Sequence, residues 1–252
     1  MRTSLPITLA AIIALSLLAA CAGTGSATPQ GTAIQPVEAT PSLFPVAVEA
    51  TSPPPSPTPA IPTATEQLYA GPRVTDVKIS LPEGWFYAYV ENEHFDSLVF
   101  TQQDPAELSE FDDPQLALPL DFAAGALVLT PLPEGSDPQA LQNALLEGIS
   151  ELDEDDFEAM LFALDQVGLI NYAAVDHATL LTASAGEMAA RPALVLDGTL
   201  YFEDDLPPAL RVQIWLAVTQ DAWLAFYGLA AEKAWPGVQP ALAQTQNSIQ
   251  LP

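Results

Sequence analysis

From residue 73 the chain alternates apolar and polar positions, with Val77, Ile79 and Leu81 on one side and Asp76, Lys78 and Ser80 on the other. That two-residue period predicts a half-buried strand. Pro82-Glu83-Gly84 imposes a turn before Trp85, and Phe86 to Val90 is a second strand rich in aromatic and β-branched residues. Asn92-Glu93 marks another turn, followed by a third strand at Leu98-Val99-Phe100. Residues 102–121, with Pro105, Pro114, Pro119 and several acids, are expected to form a surface loop. Ala126 to Thr130, an apolar run bounded by Gly125 and Pro131, fits a central strand.

The period then becomes helical. Asp137 and Pro138 make an N-cap and first-turn pair, and Leu141, Leu145 and Ile149 recur at four-residue spacing with Gly148 near the stop. A second helix starts in the acidic run 151–158 and buries Phe157, Leu161 and Leu164. The acids suit the positive end of the helix dipole. Thr179 to Ala183 is a candidate strand, Ala185-Gly186 a turn, and Arg191 to Asp197 a strand edge interrupted by Pro192. Val212, Ile214, Leu216 and Val218 alternate with Arg211, Gln213, Trp215 and Ala217, and Gln220-Asp221 turns the chain into Trp223 to Tyr227. This is a β-hairpin. Ala230 to Trp235 reads as a helical turn ended by Pro236, residues 238–247 as a terminal helix, and 247–251 as a return to the body. Strands, helices and strands again predict an α+β fold, a mainly antiparallel sheet covered by helices, over residues 71–252.

Ahead of that domain the pattern is different. Arg2 precedes an apolar run from Leu5 to Leu18, about 14 residues, which is short for a bilayer span and suited to the core of an export signal. The run ends in Leu18-Ala19-Ala20-Cys21. This resembles the general bacterial lipoprotein signal, spanning 1–21 with its lipobox, which implies cleavage directly before Cys21 and lipidation of Cys21, by a thioether-linked diacylglyceryl group and an N-acyl chain. Two or more chains, at roughly 0.8 kcal/mol per buried CH₂, hold a protein on a bilayer where one does not. Residues 22–70 lack hydrophobic periodicity and are dense in Pro, Thr, Ser and Ala. Such a segment buries too little apolar surface to offset its ordering entropy, so it is expected to be a disordered tether. At about 3.1 Å per residue in polyproline II, its contour is on the order of 150 Å.

Charge narrows the partners. The chain carries a formal net charge of -26, with Lys+Arg 6 against Asp+Glu 32. Nucleic acid is excluded as a partner, because binding it requires basic residues that displace phosphate counterions. Anionic headgroups repel the domain for the same reason, so the expected membrane contact is the lipid on Cys21. Cys21 is the single cysteine, which leaves the folded part without disulfides.

Candidate chemistry is sparse. His94 and His177 are far apart in sequence and do not form a metal-ligand spacing. Asp176-His177 invites a catalytic reading with a serine such as Ser184, yet neither a Gly-x-Ser-x-Gly elbow nor a Ser-x-x-Lys motif is present. A surface histidine beside an acid is the preferred reading. The run Glu151 to Glu158 offers oxygen ligands for Ca²⁺, but Glu158 stands where the EF-hand loop requires Gly. Glu203, Asp204 and Asp205 read as an exposed loop. Trp215 and Trp223 flank one turn and are expected to share a face, as core or as a binding wall.

Three segments, Ile79-Ser80-Leu81-Pro82-Glu83-Gly84-Trp85, the hairpin 211–227 and the closing helix ending Asn247-Ser248-Ile249, together resemble PsbP-like domains, including those of small bacterial envelope lipoproteins. The segment 134–170 is longer and more acidic than that pattern. The resemblance implies an antiparallel sheet sandwiched by helices. It carries over no functional residue, because the fold serves photosystem assembly, small-GTPase binding and unassigned roles. The expectation is an extracytoplasmic lipoprotein, anchored to the cell membrane, whose non-catalytic domain needs no cofactor and binds or supports another envelope protein. The alternative is an envelope hydrolase or a small-ligand or Ca-binding protein with a cleft formed only in the fold.

Overall fold

The computed structural model describes residues 65–69, 77–91, 94–104, 121–170, 174–202 and 209–251. Cys21, the expected turn at 92–93, the 105–120 part of the expected loop, and Glu203, Asp204 and Asp205 lie outside them. Chain order is β1 Thr65–Tyr69, β2 Val77–Leu81, β3 Phe86–Glu91, β4 Asp96–Thr101, β5 Ala123–Pro131, α1 Pro138–Glu147, a 3₁₀ turn Gly148–Glu151, α2 Glu154–Gln166, β6 Val175–Met188, β7 Arg191–Phe202, β8 Leu210–Val218, β9 Ala222–Ala231 and α3 Trp235–Asn247. The class is α+β.

Seven strands form one antiparallel sheet in the order β3-β4-β5-β9-β8-β7-β6, and β1 and β2 form a separate antiparallel pair. The two middle strands explain their composition. β9 is buried at every residue and β5 at all but Pro131, so each supplies both faces with apolar side chains and reads as a continuous hydrophobic run. Ala124, Ala126 and Val128 join one core, where α1 and α2 contribute Leu145, Phe157, Leu161 and Leu164. Ala123, Leu127 and Leu129 join the other, closed by Val77, Ile79 and Leu81 of β2 and by Leu242 of α3. α1 contacts β7 and β8, α2 contacts β6, and α3 contacts β9, β5 and β2. The sheet is therefore sandwiched by helices, as the sequence pattern and the PsbP-like resemblance imply.

Local chemistry sets the helix starts. Asp137 accepts hydrogen bonds from the backbone N–H groups of Gln139 and Ala140 at 3.0 and 3.2 Å. Asp153 and Asp156 close a reciprocal capping box, with Asp156 N–H donating to Asp153 at 3.0 Å and Asp153 N–H to Asp156 at 3.3 Å. Gln142, buried under α1, accepts from the Val218 backbone N–H at 3.0 Å and ties that helix to the end of β8.

Several expectations are corrected. Thr65–Tyr69, inside the stretch expected to be tether, is paired backbone, because it finds its partner in β2 rather than in its own periodicity. The turn expected at Ala185-Gly186 is absent: β6 runs on to Met188, and the chain reverses at Ala189 and Ala190, with φ of 52° and 57°. A two-residue hairpin demands these left-handed values, and alanine carries no sequence signal for them. β7 is an interior strand rather than an edge. Pro192 is tolerated because the ladder to β8 begins only at Leu194. Pro236 opens α3 instead of ending a preceding turn, since a first-turn position needs no N–H donor.

Candidate binding surfaces

Every exposed large apolar side chain among the described residues sits on an edge strand or on the strand beside it: Phe86, Tyr87 and Tyr89 on the β3 edge, Leu181 on the β6 edge and Tyr201 on the neighbouring β7. The β3 group is the denser. Tyr87 and Tyr89 are 46% and 45% exposed, and their rings meet edge to face with centroids 6.0 Å apart. They pair across the ladder with Phe100 and Leu98, which belong to the core under β2 and α3. Trp85, two residues before Tyr87, is anchored against Phe100 at 5.9 Å. Phe86, 41% exposed, pairs with Thr101 and points to the opposite face. β3 thus shows aromatic surface on both of its faces. Partial burial, with the neighbouring Tyr87 adding to it, raises the Tyr89 hydroxyl pKa above the ordinary tyrosine value.

At the other edge, His177 Nδ1 lies 2.8 Å from Asp176 Oδ2, and the imidazole stacks on Tyr201 with centroids 4.5 Å apart and an interplanar angle of 12°. Both members of this pair are more than half exposed. Ser184 is seven residues further along the same strand, on the order of 20 Å away, so the two are not brought together. His94 precedes β4, and four strands separate it from the strand of His177.

No group of three or more His, Cys, Asp or Glu side chains that could hold a metal occurs among the described residues. In the acidic run, Asp153 and Asp156 spend their carboxylates on the helix cap. The tryptophans expected to share a face point to opposite ones: Trp215 packs with Phe226 at 5.5 Å beneath α3, and Trp223 lies in the α1 and α2 core. The five-residue step from Val218 to its partner Trp223 puts Trp223 with Val218, Leu216 and Ile214, one register position out of phase with Trp215.

Two features escaped the sequence. Arg211 and Asp197 form a half-buried ion pair on the α3 side of the sheet, with the guanidinium 5.9 Å from the Trp235 ring centroid. Their approach is diagonal, since Asp197 pairs with Gln213 and Arg211 with Thr199. The exposure of β3 was signalled only by its consecutive aromatic residues, FYAYVE, which fit no one-sided alternation.

No protein-family model matches the chain, and no curated protein matches it. Similar solved structures include cyanobacterial PsbP (CyanoP) from Synechocystis sp. PCC 6803, with 16% identity and a TM-score of 0.44 over 78% of this chain and 98% of that one. LpqN of Mycobacterium tuberculosis, involved in cell envelope biogenesis, has 13% identity and a TM-score of 0.41, over 75% and 92%. These distant likenesses assign no ligand or partner to this chain.

Proposed function

We propose that the protein is an extracytoplasmic lipoprotein, held to the cell membrane by acyl chains on Cys21, whose folded domain is a non-catalytic binding or accessory module for another envelope protein. The supporting geometry is the clustering of exposed aromatic side chains on strand β3. Exposed aromatic surface beside a well-packed core is the usual mark of a protein contact. The Asp176 and His177 pair stands on an open sheet surface and stacks on Tyr201, a structural use for the ring. The anchor reading rests on Leu18-Ala19-Ala20-Cys21 after a short apolar run. Among the described residues no helix is long and apolar enough to cross a membrane.

Cys21→Ala tests the anchor. The variant is expected to leave the membrane fraction and to lose metabolic labelling by an alkynyl fatty acid, while its thermal unfolding stays unchanged. Retention of the label on the variant overturns the lipid anchor.

A further inference from the structure

We propose that strand β3 is a docking edge for an extended segment of an envelope protein that bears lysine or arginine at alternate positions, added to the sheet as an eighth strand. The inference rests on the binding-module reading and supplies its surface and the chemistry of its partner.

β3 is the terminal strand of the sheet and pairs only with β4 among the described strands. Every second residue of an edge strand turns its N–H and C=O away from its neighbour, which is a template for another chain. Proteins commonly blunt such edges with lysine, proline or a bulge. FYAYVE contains neither lysine nor proline, and its register with β4 is unbroken from Phe86 to Glu91. A strand laid beside it would set alternate side chains next to Tyr87 and Tyr89 on one face and next to Phe86 on the other.

Charge selects the occupant. A chain of net charge -26 repels a second copy of itself and any acidic segment, and it draws in a basic one. Exposed Glu83 stands just before the strand, and Glu91 ends it. The edge-to-face pair of Tyr87 and Tyr89 offers ring surface to an ammonium or guanidinium group, a contact that strengthens as the partner backbone excludes water. Backbone pairing would supply affinity, and the alternation of basic and apolar side chains would supply selectivity.

The test uses the full chain in detergent and three ten-residue probes: alternating lysine and valine, the same peptide N-methylated at alternate backbone positions, and alternating glutamate and valine. The lysine peptide is expected to bind and to slow amide exchange within β3. The N-methylated peptide, equal in charge but unable to pair, is expected to bind at least tenfold more weakly, and the glutamate peptide not at all. The double variant Tyr87→Ala, Tyr89→Ala should weaken the lysine peptide about tenfold with unchanged melting, and Tyr87→Lys, a second exposed change, should do the same. Equal binding of the N-methylated peptide, protection elsewhere than β3, or no binding overturns the proposal.

Photo-crosslinking in the producing cells separates this failure from that of the binding-module reading. A crosslinker at position 87 that captures lysine- or arginine-bearing extended segments supports both. Adducts only from position 181 overturn the β3 edge and leave the module standing, and none from either position overturns both.

Discussion

The two edges of the sheet differ in how they handle the same hazard. β6 is long, Val175–Met188, and it is interrupted twice, by register shifts between Val175 and His177 and between Leu180 and Thr182. Extra residues at such points twist an edge away from flat pairing. α2 also packs on β6 and covers one face of its first part, where Ala178 is buried and Leu180 and Ala183 are half-buried, while Ser184 to Glu187 stay exposed. β3 is short and unbroken and carries exposed aromatic rings on both faces. One edge is guarded by shape and cover, the other is left open with contact-forming side chains. On the proposed function, β3 is the edge a partner would use, because it combines unbroken pairing with exposed aromatic rings.

The largest expected effect comes from removing the cover over β6. Phe157 is fully buried between α2 and the sheet, and its ring occupies the space where a side chain on Gly198 would sit. Phe157→Ala should cost about 3–5 kcal/mol in urea denaturation. Amide exchange should rise in β6 while β3 is little changed; a uniform rise would show that α2 does not guard that edge selectively.

A smaller gain is expected at the β6 and β7 turn. Ala189 and Ala190 hold left-handed backbone values that Asn and Gly adopt readily. The double change Ala189→Asn, Ala190→Gly should stabilise the protein by about 1 kcal/mol, read as a higher urea midpoint at constant slope. A lower midpoint would contradict strain at this turn.

At β3 the comparison predicts almost no change in stability. Tyr87→Lys places a charge on an exposed edge and should shift unfolding by no more than about 0.5 kcal/mol. A loss several times larger would mean that β3 is a structural edge after all.

The smallest effect is a pH slope. Asp156, on the helix that covers β6, has its pKa raised, first by burial, against the lowering effect of its hydrogen bond with the Asp153 backbone, and further by the charges of Asp153 and Asp155. The folded state therefore holds the proton more tightly than the unfolded state, and stability falls as pH rises from the ordinary aspartate value through the raised folded value. The residue is only partly buried and still reached by solvent, so the slope is shallow. Urea midpoints of Asp156→Asn between pH 3 and 6 should lack this component of the wild-type slope; identical slopes would remove it.

Legibility followed locality. The helix cap at Asp137, the acidic start of the second helix, the alternation at Val212 to Val218 and the buried face Phe157, Leu161 and Leu164 are each written within a few residues, and each is found as expected. The rest depends on distant partners. Thr65–Tyr69 becomes a strand because β2 pairs with it. β6 extends well beyond Thr179 to Ala183 because β7 supports it along its length. Opposite facing of Trp215 and Trp223 required the hairpin register, and the openness of β3 required the strand order of the whole sheet. Side-chain patterns reveal that a segment is a strand. They do not reveal which strand is last.

The attachment of β2 has a mechanical consequence. The Lys78 and Gln250 backbones exchange hydrogen bonds of 3.0 and 2.9 Å, and the Ser248 hydroxyl accepts from the Ser80 N–H at 2.7 Å, so the C-terminal tail buttons β2 to the body. β1 has no such fastening among the described contacts, and its first residue, Thr65, pairs with Leu81, where the chain enters the body. A pull arriving from the N-terminal side loads that end of the pair first. The β1 and β2 pair precedes the seven-stranded sheet along the chain, so it takes up such a load before the sheet does.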